Sequence, residues 1–278
     1  MTDTCPTHTE HPLTLSLPVQ RHRDGRDERV QDLVAEEVPV ALVFNGISHA
    51  VMMASPADLE EFATGFALSE GILAAPGEIR DLEILQHTDG IEIAMTIAEP
   101  AFLALKDHRR SLTGRTGCGV CGTESLSLLD LTPERVSPAN FTVDHAAIRR
   151  ILAELPAHQP LTQATGCAHA AAWCSPAGEI QRVFEDVGRH NALDKLLGWL
   201  ALRRIDHTDG FVFLTSRASY ELVRKVARRN IATLATISAP TALAIRLAHD
   251  AGIRLLSFCR DKGFVEYPAE SAPPSLAR

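Results

Sequence analysis

The stretch FVFLTSRASYELVRKVARRNIATLATISAPTALAIRLAHDAGIRLLSF, residues 211–258, decides the fold of this 278-residue chain. Short runs rich in β-branched and aromatic residues alternate in it with segments whose apolar residues recur at helical spacing. This alternation is typical of βαβ units, in which helices cover a parallel sheet. The predicted strands are Phe211–Thr215, Ile231–Ile237 and Ile253–Phe258, and the predicted helices are Tyr220–Arg229 and Thr241–Ala251.

The sequence immediately before this stretch continues the same pattern. Ile180–Phe184 has the composition of another strand. Leucines at positions 193, 196, 197 and 200 follow it at the spacing of one helix face. The C-terminal half is therefore predicted to be an α/β domain whose ligands bind beyond the carboxyl ends of the parallel strands.

A different pattern, in which strands flank a single helix, occupies the N-terminal half. Apolar runs at Val38–Phe44 and Ile47–Ala54 flank Asn45-Gly46, a dipeptide that favours the positive φ angles of a tight hairpin turn. Ser55 is the expected N-cap of the next helix, which runs to about Ile72. Further strands are predicted at Ile79–Leu85 and Ile91–Ile97, and they complete a ββαββ unit.

A segment with two prolines, Thr132–Asn140, is the best candidate for a linker between the two patterns. It divides the chain into an N-terminal α+β subdomain over residues 12–135 and a C-terminal α/β domain over residues 136–278. The first twenty-odd residues and residues 269–278 show no periodicity, and we expect both segments to be loose.

The composition favours a folded, soluble protein over several other classes. Hydrophobic residues make up 45% of the chain, enough for a buried core, and the net charge of −8 argues against binding to a nucleic-acid backbone. No apolar run reaches about 18 residues and no secretory leader is recognisable, so we expect a cytoplasmic protein without a membrane span. Six cysteines are too few and too scattered for a disulfide scaffold.

Cys118 and Cys121 lie three positions apart in the glycine-rich segment TGCGVCG, residues 116–122. Such a pair can cycle between dithiol and disulfide, supply half of a zinc site, or carry sulfur as a persulfide. The glycines disfavour the helix N-terminus that a thioredoxin-like site requires. The residues favour sulfur or redox chemistry. Two other interpretations stay open, in which the two cysteines are thiols without a function or are zinc ligands. Zinc could draw its missing ligands from Cys167, His169 and Cys174, at a spacing unlike that of a zinc finger.

Hydroxyls, glycine and basic residues follow the predicted strands of the C-terminal half. Backbone N–H groups at such strand ends and helix N-termini bind anions. We therefore predict a site for a phosphate- or pyrophosphate-bearing small molecule. Its predicted contacts are Ser216, Arg217, Phe258, Cys259, Arg260, Asp261, Lys262 and Gly263. The basic residues of the adjoining helix, Arg224, Lys225, Arg228 and Arg229, are interpreted as a solvent-exposed face.

Residues 185–195, EDVGRHNALDK, place acids, bases and cations in one strand-to-helix turn. The segment fits equally well a charged capping loop, in which Asn191 caps the helix, and part of a ligand pocket. His169, which stands beside a run of alanines, is interpreted as structural.

Taken together, GRTGCGVCG at residues 114–122 and EDVGRHNALDK at residues 185–195 closely resemble the FdhD family of formate dehydrogenase accessory sulfurtransferases. Further matches run in the expected order from about Glu36 to Tyr267. They include Asn45-Gly46, LSEGI at 68–72, HAA at 169–171, Thr215-Ser216-Arg217 with Glu221, and Ser238-Ala239-Pro240-Thr241.

This resemblance implies a sulfur carrier. A cysteine desulfurase would hand sulfane sulfur to Cys118, which would hold it as a persulfide while Cys121 assists or resolves it. The recipient would be the Mo-bis(molybdopterin guanine dinucleotide) cofactor of formate dehydrogenase, or its tungsten counterpart. The family's cofactor-contacting loop maps onto residues 258–263, and no permanently bound cofactor is expected. The resemblance also implies a three-layer, cytidine-deaminase-like C-terminal domain and a homodimer.

The sequence departs from the family pattern at Cys167, where glycine is more usual, and in Arg260-Asp261-Lys262. The first departure favours metal binding, and the second leaves the contacts with the cofactor open. Two alternatives to sulfur transfer therefore remain: a zinc-bound protein, and a chaperone that only escorts the cofactor.

Overall fold

The computed structural model describes residues 11–110 and 132–268, apart from the side chains of residues 107–110. Its first elements are two ten-residue antiparallel strands, β1 (Thr14–Arg23) and β2 (Arg26–Ala35). Asp24 and Gly25 connect them with φ angles of 52° and 73°, as in a tight hairpin turn. The expectation that the first twenty-odd residues are loose is wrong for β1, because Thr14–Arg23 pairs with β2 along its whole length.

The predicted ββαββ unit is confirmed. It consists of β3 (Val38–Phe44), β4 (Ile47–Ala54), the helix α1 (Leu59–Ser69), β5 (Ile79–His87) and β6 (Gly90–Ile97). The strands form a sheet in the order β4-β3-β6-β5, in which β3 and β6 are parallel and the other pairs antiparallel. Asn45 and Gly46 make the predicted turn with φ angles of 46° and 77°.

The helix α1 starts later than predicted, with Asp58 rather than Ser55 at its N-cap, and it ends at Ser69 rather than near Ile72. Ser55 does not cap the helix because its hydroxyl accepts a hydrogen bond from the Val187 amide at 3.2 Å. Nearly all of α1 is buried, since one side packs on the four-stranded sheet and the other on a helix of the C-terminal half.

The remaining elements come in an α/β order. They are α2 (Glu99–Arg110), α3 (His145–Glu154), α4 (Pro160–Thr165), β7 (His169–Cys174), β8 (Ile180–Asp186), α5 (Arg189–Leu202), β9 (Phe211–Leu214), α6 (Tyr220–Arg228), β10 (Thr233–Thr236), α7 (Ala242–Ala251), β11 (Arg254–Arg260) and β12 (Gly263–Glu266). The alternation predicted from β9 to β11 is confirmed. In the part of the chain that the structure describes, no helix is both long and apolar enough to cross a membrane.

Six of these strands form one sheet in the order β12-β11-β10-β9-β7-β8. The strands β9, β10 and β11 are parallel, whereas β7 runs antiparallel to β9. Apolar residues of α5, α6 and α7 pack on one face of the sheet, and those of α3 pack on the other. This half of the molecule therefore has the three layers that the resemblance implied.

The two sheets are joined where α1 crosses α5. A Cβ atom added to Gly65 of α1 would overlap the Asp194 carbonyl of α5, and one added to Gly198 would overlap the Glu61 carbonyl. The two glycines thus let the helix backbones approach more closely than any side chain would allow. This contact fixes the N-terminal ββαββ unit against the C-terminal layers.

Candidate functional site

The parallel strands β9, β10 and β11 end at one edge of the six-stranded sheet, which we call the carboxyl edge. Because β7 is antiparallel to β9, its first residue, His169, lies at the same edge, and it pairs there with Asp186 at the end of β8. The Thr215 amide donates to the Ala170 carbonyl at 3.0 Å, and the Ala170 amide donates to the Thr215 hydroxyl at 2.8 Å. The turn that contains residues 187–190 therefore shares this edge with the predicted anion-binding loops.

Three helices point their N-termini toward the carboxyl edge, because α5, α6 and α7 each begin just after a strand that ends there. The Thr241 hydroxyl caps α7 by accepting from the Ala244 amide at 3.2 Å. Ser219 occupies the N-cap of α6 but makes no capping hydrogen bond through its side chain. Unpaired N–H groups and helix dipoles make such an edge attractive to anions.

The structure places most of the predicted contact residues at the surface of this edge. Arg217 and Arg260 are exposed, and Ser216 is buried beside Arg217 at the end of β9. Phe258 is 39% exposed and has a φ angle of 55°, which is unusual for an aromatic residue. Asp261 and Lys262 are exposed in the turn before Gly263, and the Asp261 carbonyl accepts a hydrogen bond from His145 at 3.1 Å.

Cys259 stands apart from its neighbours in the predicted site. Its side chain is completely buried in the core between the sheet and α3. This burial raises the pKa of the thiol to about 12, so the group stays protonated. The Cys259 side chain therefore belongs to the core, while the residues on either side of it face solvent.

A cluster of titratable side chains at the carboxyl edge lies outside the predicted contact residues. His190, at the start of α5, has its Nε2 atom 3.7 Å from a carboxylate oxygen of Glu221, at the start of α6. Burial alone would raise the pKa of Glu221, but the neighbouring His190 and Ser219 side chains lower it to about 2. Burial, together with the charge of Arg189, lowers the pKa of His169. The sequence signal for this cluster was the strand-to-helix turn at residues 185–195, which fitted a pocket and a capping loop equally well.

The two acidic residues that end β8 are held by hydrogen bonds. Glu185 caps α4, since its carboxylate accepts from the amides of Leu161 and Thr162, each at 2.8 Å. Asp186 is fully buried and pairs with Lys195 at 2.7 Å. Asn191 does not take the capping role that one of the two interpretations gave it. Gly188 occupies the N-cap of α5, and the side-chain amide of Asn191 donates to Asp186 at 2.9 Å.

The cysteines are spread over several environments. Cys118 and Cys121 lie outside the described residues. Cys167 is exposed just before β7, whereas Cys174 is buried at the far end of that strand, about 16 Å from His169 at strand spacing. The structure therefore does not bring Cys174 together with Cys167 and His169, and no group of three possible metal ligands occurs within residues 11–110 and 132–268.

The basic residues of α6 are not the solvent-exposed face that the sequence suggested. Lys225 is buried and pairs with Asp194 at 2.9 Å and with Glu70 at 2.8 Å. Arg224 also contacts Glu70, at 3.0 Å. The expectation failed because α6 packs against α1 and α5 on the side that its own periodicity marks as polar. Arg228 is half-buried too, with an ion pair to Glu134 at 2.8 Å.

Comparisons with known proteins agree on one family. The model of the FdhD/NarQ family matches residues 35–272. A sulfur carrier protein FdhD from Chromobacterium violaceum is 65% identical over 263 residues, which cover 94% of this chain and 97% of the relative. One from Burkholderia cenocepacia is 59% identical over 259 residues, or 91% and 93% of the two chains. The crystal structure of a formate dehydrogenase accessory protein from Desulfotalea psychrophila is similar with a TM-score of 0.70 and 27% identity, covering 92% of this chain and 97% of the other.

Proposed function

Because the chain belongs to the FdhD/NarQ family, we propose that it is a sulfur carrier in the maturation of formate dehydrogenase. In this proposal it accepts sulfane sulfur from a cysteine desulfurase as a persulfide and delivers it to the molybdenum or tungsten bis-pterin guanine dinucleotide cofactor. The observation that carries the proposal is the family match over residues 35–272, together with relatives of 59–65% identity that are named sulfur carrier proteins.

The acceptance step is assigned to Cys118. Its thiolate attacks the terminal sulfur of the donor's cysteine persulfide, a new S–S bond forms at Cys118, and the donor leaves as a thiolate. The sulfane sulfur changes carrier without any net oxidation or reduction. Cys121, three residues on, is available to assist or to resolve the persulfide. The glycines around the pair give this segment the conformational freedom to present sulfur to two partners.

The delivery site is assigned to the carboxyl edge. The pyrophosphates of the guanine dinucleotide tails need positive charge and N–H donors, which Arg217, Arg260 and the N-termini of three helices supply there. A buried donor at this edge is available to such a ligand, because Nε of Arg189 has no hydrogen-bond partner among the residues that the structure describes. The exposed ring of Phe258 offers a flat apolar surface to a base or a pterin.

The proposal includes a homodimer acting in the cytoplasm, where a reducing environment keeps carrier thiols free. The protein holds the client cofactor only during transfer.

The test is mass spectrometry of the full-length protein after incubation with a cysteine desulfurase and cysteine. We expect a gain of sulfur that a thiol reagent reverses, located on the peptide that contains Cys118. Cys118→Ala should lose this gain and fail to support formate dehydrogenase maturation, while its circular dichroism spectrum stays that of the wild type. Cys121→Ala serves as the matched variant, since it changes the second thiol of the same segment.

The two alternatives predict different results. A chaperone that only escorts the cofactor would bind guanine nucleotide but gain no sulfur, and Cys118→Ala would still support maturation. A zinc protein would purify with about one metal ion per chain and lose it when Cys118 or His169 is replaced. Either result would overturn the sulfur-carrier proposal.

A further inference from the structure

The buried carboxylate of Asp186 is the centre of a hydrogen-bond network at the carboxyl edge. It is completely inaccessible to solvent and accepts four hydrogen bonds or charge contacts. The donors are Lys195 Nζ at 2.7 Å, the Gly188 amide at 2.8 Å, Asn191 Nδ2 at 2.9 Å and the Ser55 amide at 3.1 Å. A carboxylate so fully satisfied holds its donors in one arrangement.

The network also reaches across to the four-stranded sheet. Asn191 Nδ2 donates to the Met53 carbonyl at 2.8 Å as well as to Asp186. The Ser55 hydroxyl accepts from the Val187 amide at 3.2 Å, and Lys195 Nζ lies 3.4 Å from the Ser55 carbonyl. The end of β4 and the start of α5 are therefore bound to the same buried pair.

The segment that these bonds hold is the turn before α5. Gly188 has a φ angle of −101°, which any residue can adopt. A glycine is needed at this position because there is no room for a side chain. A Cβ atom at this position would lie 2.7 Å from Asn191 Nδ2 and 3.4 Å from Asp186 Oδ1. The turn continues directly into Arg189 and His190, which belong to the cluster at the carboxyl edge.

We propose that Asp186, Asn191 and Lys195 form a positioning network that fixes the first turn of α5, and with it Arg189 and His190, for a phosphate-bearing ligand at the carboxyl edge. The inference rests on the proposed function, because the ligand is the nucleotide portion of the client cofactor. None of the three side chains touches the ligand; they act through the backbone and side chains of residues 188–190. The network makes the anion site depend on a contact from β4 of the other sheet.

The test is isothermal titration calorimetry of the full-length protein with guanosine diphosphate. Replacing both members of the pair, Asp186→Asn with Lys195→Met, removes the interaction without leaving an unpaired buried charge. We expect the affinity to fall about tenfold, as when the support behind a binding group is lost. The same variant should keep the circular dichroism spectrum of the wild type and still take up sulfur on Cys118 from a desulfurase, so a loss of affinity would not come from unfolding.

The matched control is Asp194→Asn with Lys225→Met, which removes a buried pair of α5 and α6 away from the turn, together with the contact of Lys225 with Glu70. This control should bind guanosine diphosphate as the wild type does. Asn191→Ala, which removes the side-chain hydrogen bonds to Asp186 and Met53 and keeps the charge of the chain, provides a second variant if the double replacement does not fold. It too should weaken binding.

The outcomes separate the two proposals. Absence of guanosine diphosphate binding by the wild type would overturn the cofactor site and this inference together, while leaving sulfur uptake by Cys118 to stand. Binding by the wild type that is unchanged in both network variants would overturn the inference alone. Equal losses in the network variants and in the control would also overturn it, since the effect would then be general destabilisation.

Discussion

Arg260 is a predicted contact residue with an exposed side chain at the end of β11, where it pairs with Gly263 across the turn. A charge-assisted hydrogen bond to a phosphate is worth about 1.5–3 kcal/mol, so its loss should be visible in a binding measurement. We predict that Arg260→Ala weakens guanosine diphosphate binding by about tenfold or more.

Isothermal titration calorimetry checks this prediction, with Arg203→Ala as the control. Arg203 is equally exposed but lies at the C-terminal end of α5, at the opposite edge of the sheet. An Arg260→Ala protein with wild-type affinity would move the phosphate site away from this loop.

Neighbouring residues of the same loop, all predicted to contact the ligand, differ in their exposure to solvent. The sequence marked residues 258–263 as one block, yet Cys259 is buried while Phe258 and Arg260 are exposed. Successive side chains of a strand point to opposite faces, and one face of β11 packs against α3. Whether the odd- or the even-numbered residues of β11 face the core depends on which face of the sheet another element covers.

At the scale of elements, the crossing of α1 and α5 depends on two glycines. Gly65→Ala would place a methyl group against the Asp194 carbonyl, and neither backbone can move without disturbing the buried pairs beside it. We predict a loss of stability of about 1–3 kcal/mol or more, measured by urea unfolding. Gly77→Ala is the control, because nothing lies within 4 Å of its added Cβ. Equal stability of the two variants would show that the helices are not in close contact.

The ionic contacts between α1 and α6 lead to a prediction about pH. Burial would raise the pKa of Glu70, but the charges of Lys225 and Arg224 lower it to about 2, from an ordinary value of 4.5. Because the folded-state pKa is below the unfolded value, the stabilisation is present above about pH 5 and is lost as the pH falls toward 2. It amounts to about 3 kcal/mol at most.

Urea titrations at several pH values between about 6 and 3 check this expectation. The stability of Glu70→Gln should fall less with acidification than that of the wild type. Glu60→Gln, on the exposed side of α1, should follow the wild type. Parallel pH profiles for the wild type and Glu70→Gln would show that this ion pair does not contribute.

At the scale of the whole molecule, the predicted boundary at residues 135 and 136 separates two patterns of sequence, but the two parts share a buried interface. The glycine crossing, the Asp186 network and the Lys225 contacts with Glu70 all join them. We therefore predict that the two parts unfold in a single transition rather than as independent domains.

Two probes test this cooperativity. Both tryptophans, Trp173 and Trp199, lie in the C-terminal part, so their fluorescence reports that part, while circular dichroism reports the whole chain. The two urea transitions should coincide. Two separated transitions would show that residues 12–135 and 136–278 behave as independent folding units.

The sequence by itself determined the elements with strong local patterns. The turn at Asn45-Gly46, the ββαββ unit and the alternation from β9 to β11 followed from turn chemistry and periodicity, which are properties of neighbouring residues. The motifs around Cys118 and residues 185–195 were enough to indicate the family. These features need no knowledge of what each element packs against.

Only the tertiary structure determined the features that depend on residues far apart in the chain. The strand β7 was missed because its alanine-rich sequence is buried on both faces and shows no alternation, yet its position brings His169 to the carboxyl edge. Ser55 and Asp186 contact each other although they are 131 residues apart in the chain. Lys225 is buried by contacts with Ser69, 156 residues away, and with Asp194. Local periodicity records which side of an element is apolar, but only the assembled layers determine which polar groups are enclosed with it.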